Sequence, residues 1–324
     1  MCTFDTKHAE DLARSYLGVE SAPKAFRFVS ADMDFFSVDY NDILRLGDEC
    51  YLIRGVETEK RFGIEDDPKY WVKKAVDLKN NYERKLIKFC FFEEFESRIG
   101  GIQFKLFRSP AKEARILGKV RGNPNFMQGF SVEESSGNPI RVLDFINGPS
   151  LFEYLENPNL PYEEYFCDNL PSLLDRLVIA FGAMGDLHDM DEVHGDVRQD
   201  HILVNKVDGA FKWIDFDYNY TTRGGRFGYD LFGLGNILAA VVGKGSRTLR
   251  QLQEDAPDIL AKLYFEDTNI VWSSRVVNLK KIYPQIPERL NRVLMHFSAG
   301  ATVFYETVWE LLEDLQDARS DLSQ

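Results

Sequence analysis

The chain has 324 residues, 44% of them hydrophobic and 28% charged, which suits a globular protein with a substantial core and excludes a disordered one. A net charge of −13 argues against broad binding along a nucleic-acid backbone, and no apolar run reaches the length that crosses a bilayer. Four scattered cysteines (Cys2, Cys50, Cys90, Cys167) lack metal-ligand spacing, and the N-terminus has no basic stretch followed by an apolar one, so the expected setting is a reducing cytoplasm.

Residues 1–48 read as an N-terminal extension packed on the sheet that follows, with a short helix predicted from Thr6 to Leu17. The runs from Tyr51 to Val56, from Tyr70 to Leu78 and from Arg84 to Phe89, the last two parted by a turn at Asn80-Asn81, read as three strands of a twisted antiparallel sheet. Lys88 lies among apolar neighbours in the third strand, and a buried ammonium calls for a partner. Phe91 to Arg108 is an inserted segment with a turn at Ile99-Gly100-Gly101-Ile102. Ser109-Pro110 then starts a helix, since serine caps and proline fits the first helical position. Glu113, Ile116 and Val120 share one face of it, which turns Glu113 inward.

Two more strands are predicted from Phe126 to Val132 and from Ile140 to Ile146, after which Gly148 lets the chain turn into a helix from Leu151 to Leu155. The clearest helix runs from Leu170 to Met190, where Leu170, Leu173, Leu174, Leu177, Phe181, Met184 and Leu187 keep a helical period. His188 is given no role there beyond a contact near the helix C-terminus. Residues 248–324 read as helical, with an apolar stripe of Leu290, Val293, Leu294 and Phe297 that Val303, Phe304, Val308, Leu311, Leu312 and Leu315 continue.

Between these helical regions lies the stretch that carries chemistry. His194-Gly195-Asp196-Val197-Arg198-Gln199-Asp200-His201 is a polar loop running into the apolar strand Ile202-Leu203-Val204. Lys206-Val207-Asp208-Gly209 turns it into a second short strand that ends on Asp215-Phe216-Asp217. Asp196 and Asp215 thereby come to one end of a hairpin. This resembles the catalytic core of the protein-kinase superfamily, whose HxD loop and metal-binding DFG Asp are matched by His194-Gly195-Asp196 and Asp215-Phe216-Asp217. The resemblance covers roughly residues 49–316. It includes the strand ending Leu86-Ile87-Lys88, the C-helix-like Glu113-Ala114-Arg115-Ile116-Leu117, the hinge-like Val142 to Leu151, and the F-helix-like Gly228 to Leu238.

The resemblance implies an α+β, bilobal fold, with an extension over 1–48, a small antiparallel sheet lobe plus one helix over 49–147, and a mostly helical lobe over 148–324. It implies that Lys88 contacts nucleotide phosphates and pairs with Glu113, and that Leu143, Asp144 and Phe145 offer backbone groups to adenine. Asp196 becomes the catalytic base, Arg198 the cation beside the transferred phosphoryl group, Asp215 a ligand of Mg²⁺, and Asp230 a hydrogen-bond acceptor for the catalytic-loop amides. An alternative register would make Lys105 the lysine.

Three departures stand out. The glycine-rich loop keeps only Gly63, so Lys60 or Arg61 would reach the phosphates in place of backbone amides. His201 falls where the family has a metal-binding Asn, so either Asp217 or Asp200 supplies the second metal site, or Mn²⁺ replaces Mg²⁺, or activity is low. The interval from Asp215 to Asp230 is short and holds no Ala-Pro-Glu motif, which argues against switching by loop phosphorylation. The implied activity is transfer of the ATP γ-phosphate to a hydroxyl, with a protein Ser/Thr acceptor preferred. A small-molecule kinase of the aminoglycoside or choline type, suggested by Asp217 in the Asp-Phe-Asp motif, is the second reading. A pseudokinase scaffold that binds nucleotide or a partner is the third.

Overall fold

The computed structural model describes residues 5–59, 67–99, 102–133, 135, 137–156, 160–222 and 225–323. Gly63, Lys60, Arg61 and the Gly100-Gly101 turn lie outside the described residues. In chain order the elements begin with α1 (Thr6–Leu17), β1 (Phe28–Ser30), β2 (Ile43–Leu46), β3 (Glu49–Glu59), β4 (Asp67–Asp77) and β5 (Arg84–Lys88). There follow β6 (Glu94–Ile99), β7 (Ile102–Arg108), α2 (Pro110–Lys119), β8 (Gly129–Glu133), β9 (Pro139–Asp144), α3 (Leu151–Leu155), α4 (Tyr162–Glu164) and α5 (Leu170–Asp189). The rest are β10 (Ile202–Val204), β11 (Phe211–Trp213), β12 (Tyr218–Thr222), α6 (Gly228–Val242), α7 (Leu249–Asp255), α8 (Pro257–Leu260), α9 (Glu288–Met295) and α10 (Val308–Ser320). They fall into two compact units: Met1–Phe92 with Ser109–Gly122 and Met127–Ile146, and Glu93–Arg108 with Asn123–Phe126 and Asn147–Gln324.

Among the described residues, the first unit holds a seven-stranded sheet in the order β1-β2-β3-β4-β5-β9-β8. Residues before 49 enter this sheet themselves: β1 pairs parallel with β2, and β2 antiparallel with β3. Strand periodicity sorts the side chains to two faces. Ile43, Cys50 and Leu52 point to one face, where Ala9 and Ala13 of α1 cover them. Leu44, Leu46, Tyr51 and Ile53 point to the other, where they pack with Ile87 and Val142. Each such aliphatic side chain contributes about 1.5–3 kcal/mol on burial. Helix α2 starts as its sequence predicts, with Ser109 accepting from the Lys112 amide at 3.3 Å and Pro110 in the first turn. Glu113 and Ile116 both lie on its fully buried side.

The second unit is built on α5, whose Leu173, Leu174, Leu177, Phe181, Met184 and Leu187 are all buried. Gly185 lets α10 approach, because a Cβ there would sit 2.7 Å from the Trp309 ring. The β10–β11 hairpin is anchored by Trp213, whose buried indole N–H donates to the Ala180 carbonyl at 2.8 Å. The inserted segment 93–108 forms the hairpin β6–β7. In the order β12-β7-β6, it makes a three-stranded sheet with the chain that follows Asp217.

The structure corrects the helical reading of 248–324. Between α8 and α9 the chain is irregular, gathered around the buried Asp267. That carboxylate accepts from the Tyr264 amide (2.8 Å), Asn278 Nδ2 (2.7 Å) and Lys281 Nζ (2.6 Å). These side-chain bonds replace helical ones, and Pro284 and Pro287 stop a helix from running through. Val303 and Phe304, assigned by spacing to the apolar stripe, are exposed and precede α10.

Candidate active site

In the first unit, Lys88 and Arg141 stand directly opposite each other in the β5–β9 ladder, and α2 brings Glu113 to both. Lys88 Nζ lies 2.9 Å from Glu113 Oε1, and Arg141 Nε lies 3.0 Å from Oε2. The three side chains are 3%, 0% and 1% exposed, so each charge relies on the others and not on water. Arg141 also donates to the Pro139 carbonyl at 2.8 Å. Lys105, the alternative lysine, lies on β7 in a half-exposed pair with Glu94. At the end of β9, Leu143 is buried, Asp144 accepts from Lys85 at 2.8 Å, and the Arg84 guanidinium lies over the Phe145 ring at 3.5 Å. The backbone N–H groups of Asp144 and Phe145 donate to the carbonyls of Gln128 and Arg84.

In the second unit the polar loop is held from below by α6. Asp230, fully buried, accepts from the amides of His194 (2.6 Å) and Gly195 (2.9 Å) and lies 3.1 Å from His188 Nε2. Burial alone would raise its carboxyl pKa. The His188 hydrogen bond, the charges of His188 and His194 and the Gly195 amide outweigh burial and hold the pKa below the ordinary range. His188 is itself fixed by stacking on Phe227 at 4.1 Å. Gly195 has a φ of +87°, and a Cβ there would lie 1.9 Å from the Tyr218 carbonyl oxygen, so only glycine admits that close pass.

On this support sit Asp196, Arg198, Asp200, His201 and Asp215. Arg198 Nε lies 3.5 Å from Asp196 Oδ1, and its NH2 group lies 2.9 Å from Asp200 Oδ2. His201 Nδ1 lies 3.5 Å from Asp196 Oδ2, and its Nε2 lies 3.6 Å from Asp215 Oδ2. Burial raises the Asp196 carboxyl pKa, opposed by the charges of His201 and then Arg198 and reinforced by Asp215. A carboxylate raised in this way is a better proton acceptor than an ordinary one. Asp215 has a φ of 65°, a left-handed conformation that is uncommon outside glycine and clusters at functional sites.

Asp217 is placed differently. Its carboxylate is fully buried, with Oδ2 held 2.6 Å from Arg108 NH1. Arg108 in turn donates to the Tyr218 hydroxyl at 2.8 Å, and that hydroxyl donates to Glu93 at 2.5 Å. Burial works against the Arg108 charge, but Asp217 and then Asp215 hold its pKa above the ordinary value. The Asp-Phe-Asp motif thus divides its labour: Asp215 faces His201, and Asp217 ties the following strand to the inserted hairpin.

Arg108, Arg141 and His188 were not singled out from sequence. Arg141, an arginine inside an otherwise apolar strand, carried the same signal that drew attention to Lys88.

No protein-family profile matches the chain. Over 132 residues, 40% of the chain, it is 25% identical to death-associated protein kinase dapk-1 of Caenorhabditis elegans. Over 139 residues, again 40%, it is 27% identical to the putative ribosomal protein S6 kinase alpha-2 of the same nematode. The matched stretches span 9% and 17% of those relatives. The kinase PK-1 of the Cydia pomonella granulovirus superposes with a TM-score of 0.51 at 15% identity, over 82% of this chain and 93% of that one. The chain has the protein-kinase-like fold. In this kinase-like frame β5, α2 and β9 carry the ion triad, and the loop before β10 carries the acid–base cluster. Among the described residues, no helix is long and apolar enough to cross a membrane.

Proposed function

We propose that the chain is an ATP-dependent phosphotransferase that moves the γ-phosphate to a hydroxyl. The observation that carries this reading is the cluster of Asp196, Arg198, His201 and Asp215 on one loop and hairpin, anchored through its backbone by Asp230. Asp196 takes the proton of the attacking hydroxyl. Arg198, held against Asp200, is the cation available to the transferred group. In the other unit, Lys88, fixed by Glu113, serves the nucleotide phosphates; the Asp144 and Phe145 amides, which already donate to the Gln128 and Arg84 carbonyls, are not the donors to the base that the resemblance implied.

His201 Nε2 and Asp215 Oδ2 lie 3.6 Å apart, and Arg198 NH2 already lies 2.9 Å from that nitrogen, so a divalent ion shared by the two, which would neutralise phosphate charge, has to displace the guanidinium. Asp217 is the weaker ligand candidate, since Arg108 already holds it. The names of the nematode relatives, a protein kinase and a ribosomal protein S6 kinase, favour a protein acceptor, and within that class a Ser/Thr hydroxyl is our preferred reading. A small-molecule hydroxyl is favoured by the commitment of Tyr218–Thr222 to pairing with β7, so close to the start of α6.

The test is thermal unfolding with and without ATP, in Mg²⁺ and in Mn²⁺, on the wild type and Asp215→Ala. Nucleotide at about 100 times its Kd adds about 2.7 kcal/mol. We expect a metal-dependent rise in Tm that Asp215→Ala loses. No rise with either metal refutes the reading and leaves a partner-binding scaffold. Phosphate-release and acceptor trials then separate protein from small-molecule acceptors.

A further inference from the structure

Helix α6 ends at Val242, and the chain turns through Lys244 and Gly245, both at positive φ (52° and 104°). It then runs beside residues 274–276: the Val276 amide donates to the Arg247 carbonyl and the Leu249 amide to the Ser274 carbonyl, each at 2.8 Å. Between this strip and α6 lies a small cleft lined by Asn236, Ser246, Arg247, Asn269 and Arg275, and otherwise by alanine and valine. The chain has 52 acidic residues against 39 basic ones, yet no carboxylate lines this cleft. Taking a guanidinium out of water is costly unless an acid stands beside it. Arg250, close by in sequence, has such a pair with Glu254, whereas Arg247 and Arg275 have none among the described residues. Arg247 Nε is buried and meets no hydrogen-bond acceptor. Arg275 lies 5.2 Å from the centre of the Trp272 ring, and burial lowers its pKa with no carboxylate opposing. The neutral groups follow the same pattern. The amides of Val271 and Trp272 donate to Asn269 Oδ1 at 2.8 and 2.9 Å, which fixes that side chain's orientation. Its Nδ2 therefore donates to Asn236 Oδ1 at 2.7 Å, and Asn236 is left with Nδ2, a donor, as its remaining polar group.

We propose that this cleft is an oxyanion site for a single phosphate group, held by Arg247 and Arg275 with Asn236 Nδ2 and the Ser246 hydroxyl as neutral donors. It lies apart from the phosphotransferase reading and stands whether or not that reading holds. Guanidinium groups meet phosphate oxygens with paired N–H donors, which makes arginine the residue suited to this ligand. A bound phosphate gives Arg247 Nε the acceptor it lacks and gives Arg275 the negative charge that no side chain supplies. The cleft is small, so it takes the phosphate group alone: free phosphate, or a phosphomonoester whose remainder stays in solvent. A net charge of −13 repels anions from the molecule as a whole, so an anion that binds must do so at a local concentration of donors.

The experiment follows the arginine side-chain Nε–H resonances of the full chain, labelled with ¹⁵N-arginine, while inorganic phosphate is added at fixed ionic strength. Arg247→Gln and Arg275→Gln assign the two signals, and either variant alone assigns one of the pair. We expect both signals to move and to saturate together, with the half-saturation point rising when the titration is repeated in more NaCl. Each variant should weaken phosphate binding about tenfold or more. O-phosphoserine in place of inorganic phosphate separates the two sources: tighter binding assigns the site to a phosphomonoester, and weaker binding to the free ion. Thermal unfolding gives a second readout, in which phosphate should raise the Tm of the wild type more than that of either variant. Arginine signals that stay still or drift without saturating overturn the proposal. So does a Tm rise of equal size in all three proteins, because excluded salts stabilise any fold in that way. Without phosphate, each variant should unfold no lower than the wild type, since it gives up a charge that has no acid. A variant that is destabilised without phosphate shows that its guanidinium is already satisfied within the protein and overturns the site as described.

Discussion

Two charge clusters, one in each unit, are built to opposite specifications. Lys88, Glu113 and Arg141 are sealed, with short contacts and almost no exposure. Asp196, Arg198 and Asp200 keep 19%, 39% and 38% of their side-chain surface and meet partly at 3.5 Å. A sealed cluster holds a shape, because any charge left without its partner is costly there. A looser one can exchange partners, which a site needs if an ion, a phosphate or a proton is to enter. Its cost is a carboxylate, Asp196, that burial disfavours in its charged form.

The largest expected effect breaks the sealed cluster. Glu113→Ala removes the carboxylate that Lys88 and Arg141 share and should cost about 3–5 kcal/mol, read from denaturant midpoints. A loss under about 1 kcal/mol would mean that the triad is not the closed unit its geometry suggests. Asp217→Asn comes next, at about 3 kcal/mol, because Arg108 is then buried without its shortest ionic contact.

Asp230→Asn should cost about 2 kcal/mol at neutral pH, since charge-assisted bonds from two loop amides weaken. Asp230 has a depressed pKa, so its contribution is present above the unfolded carboxyl value near about 3.9 and is lost as pH falls through its folded value. The gap between wild type and Asp230→Asn should therefore close in acid.

Asp196→Asn should behave in the opposite sense. The Asp196 pKa is raised, so its ionisation opposes folding once the pH exceeds the unfolded value, and that penalty is absent below it. The variant should be more stable than wild type at neutral pH, by less than Asp230→Asn is destabilised, and should have no activity. The smallest effect belongs to Arg250→Ala, which breaks an exposed helical pair with Glu254 and should change stability by no more than about 0.5 kcal/mol.

The elements that were legible in sequence are those set by local rules. Helix α1 needs only a capping Asp5 and a periodic run, and α2 only Ser109-Pro110. The pairing of Lys88 with Glu113 could be anticipated because a lysine in an apolar strand needs an acid nearby. Arg108 and Asp217 are 109 residues apart, and nothing local in either marks the other. The sheet formed by β6, β7 and β12 was illegible for the same reason: its strands are short, their polarity is mixed, and the partner strand was read only as part of a short loop. His188 was passed over because its partner, Asp230, lies on a helix 42 residues further on.

The interleaving of the two units along the chain has a consequence for anyone dissecting it. The chain passes from the first unit to the second at Glu93, returns at Ser109, leaves again at Asn123, returns at Met127 and leaves finally at Asn147. A fragment begun after Ile146 would contain β12 without β7, and Asp217 without Arg108. A fragment ended there would carry β6 and β7 with no β12 to pair. Neither half is a natural unit of expression, and co-expression of the two should restore what each lacks: reassembly from cut halves would report directly on the zipping of β7 to β12.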